Sequence, residues 1–270
     1  RLGQALSAGE IVVGAALSAG EGVAGMTLTP TENDDISTIS GVIADLVDGA
    51  SLEVLLIPAN GRWWSVDVSH DGVTKTEIPS LDPTRRLARV ELSDARSEAV
   101  SDLPVRQLLS VVHTLIAGEA VGVAQSALYM TREYVLQREQ FGQPIGRFQA
   151  VKQKLADCLI AVEAARSALW GAVRSIDAGF PDADAARLAK AKACEAASWV
   201  TAEAVQLHGA IGCTWEHDLH LLMRRAKHCS LTLGSPKHHV RMLAEKALNA
   251  APAGNHSAAS QPNLDLGFVP

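Results

Sequence analysis

Residues 105–147 read VRQLLSVVHTLIAGEAVGVAQSALYMTREYVLQREQFGQPIGR. Positions 105–139 contain no proline, and Leu108, Val111, Val112, Leu115, Ile116, Val121, Val123, Ala124, Ala127 and Leu128 fall at helical spacing. Pro104 suits a first helical turn. The segment predicts one helix of roughly 50 Å at 1.5 Å per residue, stopped by FGQPIGR. The pattern continues downstream. Helices are expected over 148–178, ended by Gly179 and Pro181, and over 182–207, with Asp182 or Asp184 as N-cap. Shorter ones are expected over 218–228 and 236–248. Long helices joined by short loops describe an up-and-down bundle over residues 103–249.

Upstream the pattern differs. Short apolar runs, IVVGAAL (11–17), ISTISGVI (36–43), LEVLLIPA (52–59), RWWSVDV (62–68) and RLARVEL (86–92), alternate with the turn clusters PTENDD, PANG and SHDG. That chemistry argues for an antiparallel β domain over residues 1–102, giving an α+β fold. PSLDPTRR (79–86) carries two prolines and is expected to run along an edge before the last strand. Trp63 and Trp64 alternate across a strand, so one should point inward, while Trp170 and Trp199 occupy bundle positions where core packing is the default. Residues 250–270 are small and polar and are expected to form a mobile tail, whose last residues, LDLGFVP, could dock. There is no internal repeat.

Composition narrows the function. Hydrophobic residues make up 47% and charged residues 20%, and 24 basic against 30 acidic side chains give a net charge of -6. Nothing here favours nucleic acid through bulk electrostatics. Cys158, Cys194, Cys213 and Cys229 form no C-x-x-C pair and read as buried free thiols of a reducing compartment. The opening RLGQALSAGE lacks signal-peptide character, and no apolar run reads as long enough to cross a bilayer. The expected location is cytoplasmic, without membrane contact. The chain begins at Arg1 rather than Met, so its natural N-terminus can lie upstream.

Two motifs carry chemistry. One is Arg138-Glu139-Gln140-Phe141-Gly142; the other is Gln206-Leu207-His208-Gly209-Ala210-Ile211-Gly212, where a helix breaks into a glycine loop. A guanidinium offers paired donors to phosphate oxygens, an aromatic ring gives a flat surface, and glycines let backbone N–H groups approach a diphosphate. Each motif also has a plainer reading: Arg138 as a helix-end cation, Phe141 as a core plug, Gly209 as a C-cap. Together, inside one bundle pattern, they favour a site. His208, Glu216 and His217 show no metal-ligand spacing, so no metal is expected there. They are read as ordering the glycine loop. His238 and His239, at a helix start, are expected at the surface or an interface.

At this separation and order, REQFGQPIGRFQAVKQKLAD and AVQLHGAIGCTWEHDLHLLMRRAK resemble the C-terminal helical domain of the acyl-CoA dehydrogenase family, over most of residues 104–249. Residues 8–95, including LDPTRRLARVEL, resemble that family's β-rich middle domain more weakly, and its helical N-terminal domain has no counterpart. The resemblance implies that Arg138, Gln140, Phe141, Gln206, Gly209, Ala210 and Gly212 hold the adenosine and pyrophosphate end of an FAD shared with a neighbouring subunit.

The family's reaction apparatus is not matched. Its proton-abstracting Glu lies in a Y-E-G-T stretch, which here aligns with Thr232-Leu233-Gly234-Ser235; Leu233 cannot accept a proton. The alternative base position near the start of the long helix aligns with Val112, followed by His113. The family's flavin turn aligns with Ser18–Gly25, where Ser18 could donate to a flavin carbonyl. The strand whose Trp packs on the flavin aligns with Asp45-Leu46-Val47-Asp48, so Asp45 replaces the ring. Glu119, two turns after Val112, is the one candidate for a displaced base, but a polar residue at a helix crossing or a partner for a nearby cation is the preferred reading.

A chain that keeps the half-site given to a neighbour and lacks its own resembles the non-catalytic-type subunits of heterotetrameric (α2β2) acyl-CoA dehydrogenases of actinobacterial steroid and cholesterol side-chain degradation. The resemblance implies a homologous full-length partner subunit that carries the catalytic Glu, binds most of the acyl-CoA and shares FAD with this chain. The alternatives are a self-sufficient homomeric enzyme using Glu119 and a flavin-free scaffold.

Overall fold

The computed structural model of the chain describes residues 4, 7–17, 27–30 and 36–250. The Ser18–Gly25 turn and the tail expected after residue 250 lie outside the described residues. The strands are β1 (Val13–Ala15), β2 (Thr27–Pro30), β3 (Ile36–Val47), β4 (Val54–Ala59), β5 (Arg62–Asp67), β6 (Val73–Ile78) and β7 (Leu87–Ser101). They pair in the order β1-β4-β5-β7-β3-β2, with β6 also on β7. Among the described strands all pairs are antiparallel except β1 with β4, which is parallel, so the sheet is the antiparallel-rich one expected. Along β7 Ala88, Val90, Leu92 and Ala95 are buried, and Val90, Leu92 and Ala95 pack with Ile39, Ile43, Leu55, Ile57, Trp64 and Val66.

The sheet meets one expectation and corrects another. Trp63 and Trp64 alternate across β5, whose pairing with β4 runs without a shift, and one points inward as expected, yet both are buried because the other face is covered as well. Trp64 joins the sheet core, and Trp63 Nε1 donates to Leu103 O at 2.8 Å, at the exit toward the bundle. Residues 79–86 do not follow a sheet edge. They form an irregular connection in which Asp82 is buried and accepts hydrogen bonds from Thr84 N and Thr84 Oγ1.

The helical part comprises α1 (Val105–Gln137), a small hairpin of β8 (Glu139–Gln140) and β9 (Gln143–Pro144), then α2 (Gln149–Asp177), α3 (Ala183–His208), α4 (Leu219–Leu231) and α5 (Pro236–Ala250). Asp182 caps α3 by accepting from Asp184 N and Ala185 N, so the first of the two cap candidates is the one used. Helix α3 runs through the middle. Its Ala189, Ala193, Ala196, Ala197 and Ala204 meet Ala117, Ala120, Ala124 and Ala127 of α1, and small side chains on both helices let the backbones approach closely.

Some expectations about the bundle fail. Trp170 and Trp199 are 54% and 40% exposed, on the outer faces of α2 and α3. His239 is buried instead of lying at the surface, and His238 is half-buried beside it. Cys158, Cys194 and Cys229 are buried, with burial pushing their thiols up to about 11, 11 and 12, but Cys213 is exposed. By length and apolar content α1 is sufficient to cross a membrane, against the expectation that no run would be. About half of its most apolar stretch, including Ile116, Val121, Val123 and Leu128, is buried within the bundle.

Candidate functional site

Arg138 is the C-cap of α1, its N–H donating to Tyr134 O at 2.8 Å. Its carbonyl accepts from Ile145 N at 2.8 Å, which closes the β8–β9 hairpin. The two-residue loop is Phe141-Gly142, with φ of 55° and 77°. Positive φ at both loop residues is the mark of a type I′ turn, where Asn-Gly or Gly-Gly is the unstrained choice. A phenylalanine there carries backbone strain. Phe141 is 91% exposed, touching Phe148 edge-on at 6.1 Å. The core-plug reading of Phe141 therefore fails, and Arg138 and Gln140 are exposed beside it.

The second motif lies at the same end of the bundle. Tyr134, one turn before Arg138, stacks on His208 at 4.3 Å and donates its hydroxyl to His208 O at 3.2 Å. Gly209 caps α3 with φ of 68°, so the C-cap reading holds alongside the site reading. Gln206, Gly209 and Ala210 are exposed and Gly212 is buried. A Cβ on Gly212 would lie 3.0 Å from His208 Cβ and 3.1 Å from Val205 O, so the loop folds back on the helix end only with glycine there. His208 donates from Nδ1 to Ala204 O, its Nε2 is buried without a partner, and burial pushes the ring below its ordinary value. His217 packs on it at 4.8 Å. No group of three or more His, Cys, Asp or Glu among the described residues is placed to hold a metal.

A separate cavity of about 650 Å³ lies where β3, residues 80–87, α1 and α4 meet. Val112 and Leu233 both line it, as do Asp45 and Val47. Positions more than a hundred residues apart in the chain thus share one wall, and both aligned base positions carry aliphatic side chains. Leu233 has φ of 53° and Gly234 97°, a tight turn after α4.

Glu119 also borders this cavity, but it is engaged. It accepts from Arg85 Nη2 at 2.9 Å and from Arg225 Nη1. Arg225 Nε in turn donates to Asp82 at 2.5 Å, and Arg85 Nη1 to Asp48 at 3.3 Å. Burial alone would raise the Glu119 carboxyl, but the Arg225 hydrogen bond and the Arg85 charge outweigh it and hold Glu119 below its ordinary value. A general base works best with a pKa near the operating pH. Glu119 is instead a fixed anion joining the sheet's connection to two helices, which is the cation-partner reading.

Sequence reasoning missed the groups behind the turn. Lys190 is fully buried and donates to Gly234 O at 2.6 Å; His239 Nε2 donates to Leu233 O at 3.1 Å. His113 packs edge-on against His239 at 4.7 Å. Burial and the Lys190 charge depress both imidazoles, His113 to about 4 and His239 to about 3. His228, in the cavity wall, was also missed and is likewise pushed down by burial. The only sequence signal was apolar neighbours around each of these polar residues.

The family described as "Acyl-CoA dehydrogenase, C-terminal domain" matches residues 105–248. The chain is 36% identical over 206 residues to the acyl-CoA dehydrogenase IpdE2 of Mycobacterium tuberculosis, covering 76% of this chain and 58% of the relative. It is 38% identical over 196 residues to the acyl-CoA dehydrogenase FadE34 of the same organism, covering 70% of this chain and 27% of the relative. The chain thus spans less than two thirds of the length of these curated relatives. Among solved structures it is similar to the Tcur3481-Tcur3483 steroid ACAD, with TM-score 0.84 and 30% identity over 92% of this chain and 70% of the other. It is also similar to the ChsE4-ChsE5 complex of Mycobacterium tuberculosis, with TM-score 0.83 and 28% identity over 93% and 70%. With the family match spanning more than half of its residues and the sheet-then-bundle architecture in place, the chain belongs to the acyl-CoA dehydrogenase family.

Proposed function

We propose that this chain is one subunit of a heteromeric, FAD-dependent acyl-CoA dehydrogenase, an oxidoreductase acting on the CH–CH bond α,β to a thioester. In this reading Arg138, Gln140, Phe141, Gln206, Gly209, Ala210 and Gly212 hold the ADP end of an FAD whose reactive end lies in a homologous partner subunit. Their arrangement fits that group: an exposed guanidinium and a projecting ring at one helix end, beside a glycine loop with room for backbone approach. FAD, when bound, would supply the hydride acceptor. The partner carries the carboxylate that removes the α proton and binds most of the acyl-CoA. A steroid side-chain thioester is the proposed substrate, supported by the similarity to the steroid ACAD.

One observation carries the reading. The cofactor-type residues other than Gly212 stand exposed, while the cavity that unites both aligned base positions offers Val112 and Leu233 and a Glu119 paired with two arginines. The test is the flavin-to-chain ratio and native mass, measured on the chain alone and after co-expression with a full-length homologous subunit. About one FAD per pair of unlike chains is expected, since the site is divided between them. One FAD per chain in a homomer would overturn the proposal.

A further inference from the structure

His208 ends α3 just before the glycine loop and is 4% exposed. Three contacts hold its ring. Nδ1 donates to Ala204 O at 2.7 Å, the Tyr134 ring stacks on it with centroids 4.3 Å apart, and His217 meets it edge-on at 4.8 Å. The first contact fixes the tautomer, because a backbone carbonyl can only accept. Nε2 therefore carries the lone pair, and it is buried without a hydrogen-bond partner. Had Nε2 accepted a bond from a neighbouring donor, protonation would break that bond. Unpaired, it can take a proton without losing one.

The ring lies directly under the loop. Gly212 folds back so far that a Cβ there would stand 3.0 Å from His208 Cβ. Tyr134, one turn before Arg138, ties the same residue to the hairpin through its hydroxyl on His208 O. The two motifs assigned to the cofactor thus meet at this imidazole. From α1 it faces the Tyr134 phenol, with the Arg138 guanidinium one turn further on. From the segment before α4 it faces His217, whose Nδ1 accepts from Leu219 N at 3.2 Å. The nearest carboxylates in the chain are engaged elsewhere: Glu203 pairs with Lys154, and Glu216 with its own N–H and Thr214. Burial outweighs the Ala204 hydrogen bond and holds the free ring below its ordinary value, so without ligand it is neutral near pH 7.

We propose that His208 is a positioning residue for the FAD diphosphate, taking up a proton at Nε2 as the cofactor binds and lying beneath the loop as a cation. The inference rests on the shared-FAD reading above. A diphosphate arriving over the loop brings negative charge close to a buried base, where solvent screens little, and this favours the base's charged form. An N–H bond forms at Nε2 with a proton from solvent, no bond of the cofactor breaks, and the proton returns to solvent on release. Arg138 is charged at every working pH. The imidazole is therefore the part of the site that makes cofactor retention depend on pH, with affinity rising as pH falls.

The experiment uses the full chain co-expressed with a full-length homologous subunit, freed of flavin by dialysis and titrated with FAD at pH 8, 7 and 6. In that range His113 and His239, with folded values of about 4 and about 3, stay neutral. FAD affinity should rise roughly three- to ten-fold from pH 8 to pH 6, within the limit of about ten-fold per pH unit that one proton allows. Calorimetry at pH 7 in buffers of different ionisation enthalpy should register proton uptake on binding. His208→Phe keeps a flat ring against Tyr134 and removes the proton site, so it should flatten the profile and abolish the uptake whatever its affinity at pH 8. His217→Gln should retain both. A flat wild-type profile with FAD bound would overturn the proposal and leave the shared-cofactor reading standing. A slope that survives in His208→Phe would overturn it as well, by placing the proton on another group. A complex that takes up no FAD at any of the three pH values would overturn the shared-cofactor reading and this proposal with it.

Discussion

Arg225 Nε on α4 donates at 2.5 Å to the fully buried carboxylate of Asp82, in the connection between β6 and β7. The same guanidinium reaches Glu119 on α1, so one side chain binds the sheet's connection to two helices. Removing one partner of a buried pair leaves a desolvated charge, which typically costs about 3–5 kcal/mol. Asp82→Ala should therefore lower the urea midpoint by a corresponding amount. A loss under about 1 kcal/mol would mean that the joint between sheet and bundle is held by apolar packing instead.

His113 and His239 give the fold a pH dependence of definite sign. Both are buried with folded values of about 4 and about 3, below the ordinary 6.5, so the unfolded chain binds protons first. Their stabilising contribution is complete above pH 6.5 and is lost as pH falls toward 4 and 3, by linkage on the order of 3 kcal/mol for each imidazole. Asp82 and Glu119, also held below their ordinary values of 3.8 and 4.5, begin to lose their contribution as pH falls through those values. Unfolding free energies from urea titrations between pH 7 and 4 should fall steadily, and His113→Leu should reduce that slope. An unchanged slope in His113→Leu would show that the imidazole titrates alike in both states.

The helices were readable because each long apolar pattern ends in proline, glycine or an Asp cap. Strand β6 was not readable, since VTKTEI presents exposed polar side chains on both faces and is held by pairing with β7 alone. Trp63 and Trp64 alternate as read, but the covering of Trp63 at the exit toward the bundle is a tertiary fact. Trp170 and Trp199 misled because an apolar residue at helical spacing looks the same whether its partner lies within the chain or outside it. The two ligand motifs were legible as local chemistry, but their meeting through Tyr134 and His208 is a tertiary fact. The buried trio of Lys190, His113 and His239 joins α3, α1 and α5, and no local pattern encodes it.

The exposed hairpin tip separates cofactor binding from folding. Arg138 and Phe141 make few contacts within the chain, so Arg138→Ala and Phe141→Ala should leave its melting temperature unchanged. Loss of a charge-assisted contact to phosphate, about 1.5–3 kcal/mol, should weaken FAD retention in the proposed complex about 10- to 100-fold. Flavin absorbance after exhaustive dialysis reads the effect directly. Full retention in Arg138→Ala would favour the flavin-free scaffold.

Leu233→Glu places a carboxylate where the family's base aligns, and it tests whether the chain is an enzyme that lacks one residue. The turn is held from behind by Lys190 on Gly234 O and His239 on Leu233 O, so the backbone should keep its course. The same cavity still presents Asp45 and Val47 where the family packs an aromatic ring on the flavin, and Val112 at the alternative base position. A base alone gives no hydride acceptor, and catalysis needs both groups in reach of one substrate. The Leu233→Glu chain should therefore remain inactive by itself in a dye-linked acyl-CoA assay. Turnover by that variant without a partner would mean that the cavity is a complete flavin site and that the division between two subunits is wrong.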